Sequence, residues 1–548
     1  MTVGMRLLAL FCACALIAPS ISLADSAGDQ HSLLELRDTV INLIQALVQR
    51  GVITREQAEK MIEDAKTKAQ AEVAQNEAQK KAQEDADKGA VRVPYVPQIV
   101  KDEIKKQVVE EITPGVKQQV AQELNTPGEV ASAFPEWMRR MVWTGDVRVR
   151  YEGDDFGRDN AQNSYYDFNA VNAAGGIIKA GAKAYLNTTE DIDRLRLRLR
   201  FGFDVDLGSG FTSGMRLATG TGEVFATTNQ NFGTYGQAYQ IALDQGWIRW
   251  SASSAEGGQK FSATAGRFAN PWVSTNMVWY NDLTFEGLMS AYRLNVSSDN
   301  EHRKDLYATV GAFPLALETP SSQSKWLAGG QIGTDLEFLD ESRVRLAAAY
   351  YDYLHIVGQR NAPDSTLLNY TAPALLQKGN TLFDIANPTD PTTNPENLFA
   401  LAANYRIVNA TLIADWHAFD GYTVNLTADA ARNIGFSSAD VFYRTGAYVA
   451  PRVNGYEADL GFGSFGFGRP NTWRASVGYR YLERDAVLDA FNDEDFHLGG
   501  TDAKGYIVTV DYAINPRVWA RLKYMSANAI DGPPLAIDVL QVDLNTQF

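Results

Sequence analysis

Four arginines, Arg194, Arg196, Arg198 and Arg200, stand two residues apart in the run RLRLRLRFGFDVDL, with Leu195, Leu197, Leu199 and Phe201 between them. Successive side chains of an extended strand point to opposite faces, so this spacing gathers the guanidinium groups, followed by Asp204 and Asp206, on one face and the large apolar groups on the other. No helix sorts these residues in that way. A row of guanidinium groups keeps its charge at any physiological pH and, on the wall of a narrow water-filled space, attracts anions. Arg148, Arg150, Arg343, Arg345, Arg474, Arg480, Arg484 and Arg521 fall at polar positions of other alternating runs and extend this candidate basic wall. A second reading stands beside the selective one. The polar-face charges change sign from run to run: Glu457 and Asp459, then Arg474 and Arg480, then Asp511, then Arg521 and Lys523, then Asp543. Opposite charges facing one another across strands contribute about 0.2 to 1 kcal/mol each and fix register.

Other residues with chemical potential are few. Ala269 to Asp282 forms the third long connection between alternating runs, and its Trp272, Trp279 and Asp282, with Glu286 just beyond, are candidates for a loop that narrows the space, Glu286 facing the basic wall across it. His302, His355, His417 and His497 are scattered singly, and no G-x-S-x-G elbow is present, so no hydrolase constellation is legible. The two cysteines, Cys12 and Cys14, make neither a metal box nor a disulfide framework; no metal, cofactor or catalytic residue is expected. A formal net charge of -16 argues against a nucleic-acid partner, which would need a basic face to displace counterions.

The elements that must position these groups are strands. Trp143, Val147, Val149 and Tyr151 oppose Asp146, Arg148, Arg150 and Glu152; Val344, Leu346, Ala348 and Tyr350 oppose Arg343 and Arg345; Tyr506, Val508, Val510 and Tyr512 oppose Thr509 and Asp511. A surface that is apolar on one side and ionic on the other suits a wall with lipid outside and water inside. Short turns at 208–210, 340–342, 468–472 and 515–516 alternate with long polar stretches at 153–190, 220–238, 354–397 and 485–503. The tally predicts an all-β transmembrane antiparallel barrel of about sixteen strands over residues 141–548, the number being least certain around 241–292 and 398–416. The final run alternates Leu540, Val542, Leu544 and Thr546 with Gln541, Asp543, Asn545 and Gln547 and stops on Phe548, the candidate membrane-insertion signal for the barrel-assembly machinery.

The preceding segment has another character. Arg6, the apolar run Leu7 to Ile17 and Ser22-Leu23-Ala24 read as a cleavable signal peptide over residues 1–24. Between 25 and 89, Leu33, Leu36, Val40, Leu43 and Leu47 step by three and four beside a second stripe at Leu34, Ile41, Ile44 and Val48, which predicts a periplasmic helical or coiled-coil region. Residues 90–140, broken by Pro94, Pro97, Pro114 and Pro127, read as a jointed helical linker.

Tyr95-Val96-Pro97, Pro135-Glu136-Trp137, Gly145-Asp146-Val147-Arg148-Val149-Arg150-Tyr151-Glu152, Ala265-Gly266-Arg267 and the terminal Phe548 stand in an order that resembles the bacterial putative porin family with a helical, coiled-coil N-terminal region. The likeness spans nearly the whole chain after the leader. It implies an outer-membrane channel for passive diffusion of small hydrophilic solutes or ions, with no cofactor and no catalytic residue to carry over. The expected partners are outer-membrane lipid, the solutes and the assembly machinery, with a homotrimer and contact to peptidoglycan through the N-terminal helices. The competing expectations are a structural tether that holds the cell wall through those helices, a rim enzyme, and a plugged active transporter, for which about sixteen strands are too few.

Overall fold

The computed structural model describes residues 140–548 apart from 221–226, 255–257, 298–303, 319–322, 339–340, 393–394, 420 and 465–468. The expectations for the leader, the helical region and the linker lie outside the described residues. One antiparallel sheet holds seventeen strands, of which the two-residue Gln230–Asn231 is a short addition, leaving sixteen that build the wall. They are β1 (Met141–Phe156), β2 (Ile192–Gly208), β3 (Phe211–Thr219), β4 (Ile241–Ser253), β5 (Gln259–Ala269), β6 (Thr284–Asn295), β7 (Lys304–Ala316) and β8 (Lys325–Glu337), followed by β9 (Arg343–Leu354), β10 (Arg406–Phe419), β11 (Tyr422–Asn433), β12 (Asn454–Gly463), β13 (Trp473–Leu482), β14 (Ala503–Asn515), β15 (Val518–Ala529) and β16 (Ala536–Gln547). Each pairs with its sequence neighbours, and β1 closes the cylinder on β16 with Arg150 opposite Asp543. Closure removes the sheet edges that could not survive in lipid.

The ring closes with the last residue in register. Backbone bonds of 2.9 Å run both ways between Gly145 and Phe548, and a Cβ on Gly145 would come within 2.5 Å of the Phe548 ring, so glycine is what lets the terminal aromatic lie against β1. At the Gly208-Ser209-Gly210 turn all three residues take positive φ (84°, 54° and 83°), the left-handed conformation that two glycines make cheap.

Alternation decides which face meets lipid. Leu195, Phe201 and Leu207 are exposed on the outer surface, whereas Arg148, Arg150, Glu152 and Asp154 are buried inside. Aromatic side chains gather on the outer face in two bands. Trp143 packs on Phe201 and Phe203 near the turn end, as do Tyr422, Phe462 and Trp473, and Tyr151, Tyr456 and the Tyr479–Tyr506 pair lie toward the other end. Eight residues separate Trp143 from Tyr151, about 20 Å of axial rise at a strand tilt near 40°, close to the apolar height of an outer membrane.

Connections at one end are short turns, and those at the other include L1 (157–191), L2 (220–240), L3 (270–283), L5 (355–405), L6 (434–453) and L7 (483–502). L1, L2, L5 and L7 fall where long polar connections are expected, although β1 runs on to Phe156 and L5 to residue 405, and L6 is a long connection that the alternation does not announce. L7, which reads as a polar surface loop, is buried along almost its whole length. It enters the cylinder with L3 and L5, and there the inward positions of the strands are apolar: Phe285, Phe313, Leu327, Tyr351 and Ile407 pack with Trp272, Trp279, Leu401 and Phe491 into a core inside the barrel. A wall that meets packed loops needs grease on both faces, so alternation fades at this level.

Replacing Val508 on the outer face with arginine should cost about 2–4 kcal/mol at mid-membrane depth, whereas Thr509→Arg on the inner face should cost far less. Reversible unfolding from vesicles measures the difference; equal costs would contradict the assignment of faces.

Candidate functional site

L3 crosses the interior from one wall to the other. Leaving β5, it seats Trp272 edge-on against Phe313 and Tyr351, at 6.0 and 5.3 Å between ring centres. Gln331 of β8 then clamps Val273, donating to its carbonyl and accepting from its N–H, both at 2.9 Å. Thr275 donates to Asp429 of β11 through its N–H at 3.0 Å and its hydroxyl at 2.7 Å. The path turns at 276–278 and seats a fully buried Trp279 edge-on to Phe285 and Tyr351, contacts worth about 0.5–1.5 kcal/mol each beyond area burial. The far end is tied by charge. Asp282 accepts from Arg198 at 2.9 Å and from Arg200 at 3.1 Å, with Arg148 at 3.9 Å. Burial alone would raise this carboxyl, but Arg198, Arg200 and Arg148 outweigh it and hold it below the usual carboxylate range.

The arginine row of β2 is therefore a paired structure. Arg194 binds Asp154 at 2.5 Å and Glu152 at 2.7 Å; Arg196 binds Glu152 at 3.2 Å; Arg198 and Arg200 both bind Asp146, at 2.9 and 2.7 Å. On β1, Arg150 makes a two-pronged contact with Asp543, at 2.7 and 3.0 Å, and reaches Asp495 of L7 at 3.0 Å, while Arg148 donates to Asn229 at 2.5 Å. Arg196, Arg198 and Arg200 keep only 11–17% of their side-chain surface. Six guanidinium groups meet Asp146, Glu152, Asp154, Asp282, Asp495 and Asp543, so each arginine of the network has a carboxylate partner.

L7 lies against L3 and completes this arrangement. Tyr280 donates its backbone N–H to Phe491, Asp493 donates its own to Asn276, and Arg480 is buried between Glu457 at 2.8 Å and Asp493 at 3.0 Å. Two neighbouring carboxyls of the loop have opposite fates. Arg150, Lys523 and Arg196 overcome burial and hold Asp495 far below its ordinary value. Glu494 is pushed up to about 8 by burial and by the adjacent Asp495 carboxylate.

Below L3 the interior is open. A cavity of about 640 Å³ is roofed by Asn270, Pro271 and Val273 and walled by Asp204, Arg216, Arg249, Lys260, Arg293, Asp335, Arg343 and Arg345. Arg216 pairs with Asp244, which a register shift between β3 and β4 tucks inward, and Arg293 and Arg343 share Asp335 at 3.4 and 2.6 Å. Among the described residues Arg249, Lys260 and Arg345 make no ion pair; Arg249 stacks on Trp247 at 4.7 Å and donates to Thr264.

Several expected site residues thus meet: Arg148, Arg150, Arg194, Arg196, Arg198, Arg200 and Asp282 form one network, and Asp204 and Arg345 border the cavity. Two expectations need correction. Glu286 does not face the basic wall. It alternates with Phe285 and Met289, shares the outer face with Leu288, and pairs with Arg267 across the strand. Arg484 is not on a strand wall either; it lies in L7 and binds Asp531 at 2.9 Å. Sequence reasoning missed L7 as a participant, although the acidic run Asp489, Asp493, Glu494 and Asp495 is a natural complement to an arginine ladder. It also missed Arg249 and Lys260, whose strands have short, irregular patterns.

A closed sixteen-stranded cylinder with an apolar belt, an ionic interior and a loop strapped across the lumen is the architecture of an outer-membrane channel protein. The sequence profile described as Putative porin matches residues 37–548, and the chain belongs to this family. Among solved structures, the high-pH form of OprB from Pseudomonas putida is 11% identical, with 74% of this chain and 94% of that one covered and a TM-score of 0.41. OmpF of Salmonella typhi in complex with daunomycin is 12% identical (74% and 97% covered, TM-score 0.38), and the outer membrane channel DcaP of Acinetobacter baumannii is 9% identical (74% and 97% covered, TM-score 0.37). No curated relative matches the chain.

Asp282→Asn should undock the far end of L3, since removing one partner of a buried ion pair costs about 3–5 kcal/mol. Single-channel recordings should show larger, noisier conductance; an unchanged trace would mean that the aromatic anchors alone hold the loop. In native protein the depressed Asp282 group contributes stability that is present above its ordinary value of 3.8 and lost as pH falls through its lower folded value. Glu494 acts in the opposite sense. Its raised value stabilises the loop fully below 4.5, and this contribution fades as pH rises toward about 8, so channel noise should grow across that interval and Glu494→Gln should flatten the dependence.

Proposed function

We propose that the protein is a passive diffusion channel for small hydrophilic solutes with a preference for anions, and that the preference resides below L3 and not in the β2 ladder. The observation that carries this reading is the cavity wall on which Arg249, Lys260 and Arg345 make no ion pair among the described residues, so that three cations stand against Asp204, the one acid of that wall outside an ion pair, which acts on Arg249 from beyond contact distance. Charges already matched across strands exert little field on a passing ion, whereas unmatched ones beside water do. The ladder supports the same function indirectly. It pins L3 and L7 to the wall and so sets the width of the passage. The solute moves down its own gradient, and no step of covalent chemistry is performed on it.

One unit charge about 6 Å from an ion in water is worth about 0.7 kcal/mol, roughly threefold in local anion concentration. Neutralising Arg249 and Arg345 together as glutamines should therefore move the reversal potential under a salt gradient markedly toward the cation side. Arg196→Gln with Arg198→Gln should alter conductance and noise with little change in ion preference. The reverse outcome, selectivity lost with the ladder and retained without Arg249 and Arg345, would refute the assignment.

A further inference from the structure

Among the described residues the seam between β6 and β7 is not hydrogen-bonded along its whole height. β6 and β7 pair from Asn295 opposite Asp305 up to Leu288 opposite Ala312 and no further. Beyond that level Thr284–Gly287 remain with β5, where Glu286 faces Arg267, while Phe313–Ala316 follow β8, where Pro314 faces Trp326. Between these unpaired ends, toward the loop end, the ladder has a slot-like gap among the described residues, lined on the inner face by Phe285 and Phe313, whose rings stand 5.1 Å apart. Just below it they are tight, since a Cβ on Gly287 would come within 2.3 Å of the Ala312 carbonyl. The sequence suits a bare edge at this point: Pro314 has no N–H to leave unpaired, and proline within sheets is confined to edges and strand ends.

Behind the slot lies a pocket of about 240 Å³. Its lining comes from both sides of the wall. Arg267 and Glu286 stand on the outer face, Phe285 and Phe313 belong to the inner face, and Ile356 of L5 and Phe491 of L7 close the back. The pocket therefore runs from the lipid-facing surface to the packed loops inside. At its mouth Arg267 and Glu286 pair with each other, and Lys325, which also borders the pocket and keeps its charge, donates to the Tyr370 carbonyl. A mostly apolar chamber with one ion pair and one further cation at its border contrasts with the charged cavity beneath L3.

We infer that this slot is a lateral port, and that its ligand is the hydrocarbon chain of a free single-chain amphiphile exchanging between the barrel interior and the membrane. The chain lies among Phe285, Phe313 and Phe491, and the polar head stays at the Arg267–Glu286 mouth. A phospholipid acyl chain offers the same chemistry from another source, and the experiment separates the two.

Full-length protein in phosphatidylcholine vesicles is photolabelled with a diazirine-bearing dodecanoic acid, and the labelled peptides are mapped. Saturable labelling of the peptides that hold Phe313 and Phe491 is expected, reduced at least tenfold by excess dodecanoate and at least tenfold in Ala490→Trp, which fills the pocket. Leu315→Trp, on the half-buried strand edge, serves the same purpose should Ala490→Trp fail to fold. Labelling spread evenly over the outer face, or labelling of these peptides only by a diazirine phosphatidylcholine that dodecanoate cannot displace, overturns the port. Ionic conductance measured in parallel keeps this result separate from the diffusion reading: loss of conductance with labelling intact would fault that reading and leave the port standing.

Discussion

A cylinder in lipid has to pair its backbone within itself and present hydrocarbon outward, and everything polar it carries must then be settled inside a space only a few side chains wide. Buried charge is tolerated there only where it is matched. That constraint explains why the arginine row of β2 does not stand as a bare ladder. Asp146 and Glu152 on β1, Asp543 on β16 and Asp282 and Asp495 on two different loops converge on Arg150 and Arg194–Arg200, and the convergence fixes both the closure of the ring and the positions of L3 and L7.

The interior is consequently divided into regions of different chemistry. Toward the loop end, aromatic and aliphatic side chains from strands and loops form a packed core, with polar groups such as Asp485 held by Thr381 and Tyr405. In the middle, the ion-pair network and L3 form a partition. Toward the turn end, the lumen opens into a cavity where several cations remain unmatched. On the proposed reading, width is set by the partition and charge preference by the cavity, so the two properties rest on different residues.

The outer surface carries its own division. Most of it is an apolar belt bounded by aromatic bands, but between β6 and β7 the ladder ends at Leu288 and Ala312 among the described residues, and an apolar pocket there is lined by residues of the interior core. Because Phe285 and Phe313 line both the core and this pocket, packing of L5 and L7 and occupancy of the pocket are physically linked.

The alternation of Leu195 through Leu207 against Arg194 through Arg200, and the seating of the final run on Phe548, were legible because the period of a strand is local: which face a side chain takes depends only on its neighbours in the chain. The approximate strand number, the third loop with Trp272, Trp279 and Asp282, and the class of protein followed from that periodicity. What lay beyond it were questions of partnership. Whether Arg198 selects ions or holds Asp282, whether Glu286 looks inward or pairs outside with Arg267, and whether the acidic L7 floats in solvent or is buried depend on residues tens to hundreds of positions away, brought together only when the ring closes. A one-dimensional pattern fixes the face a charge occupies; only the closed cylinder, with its loops folded in, decides what that charge meets.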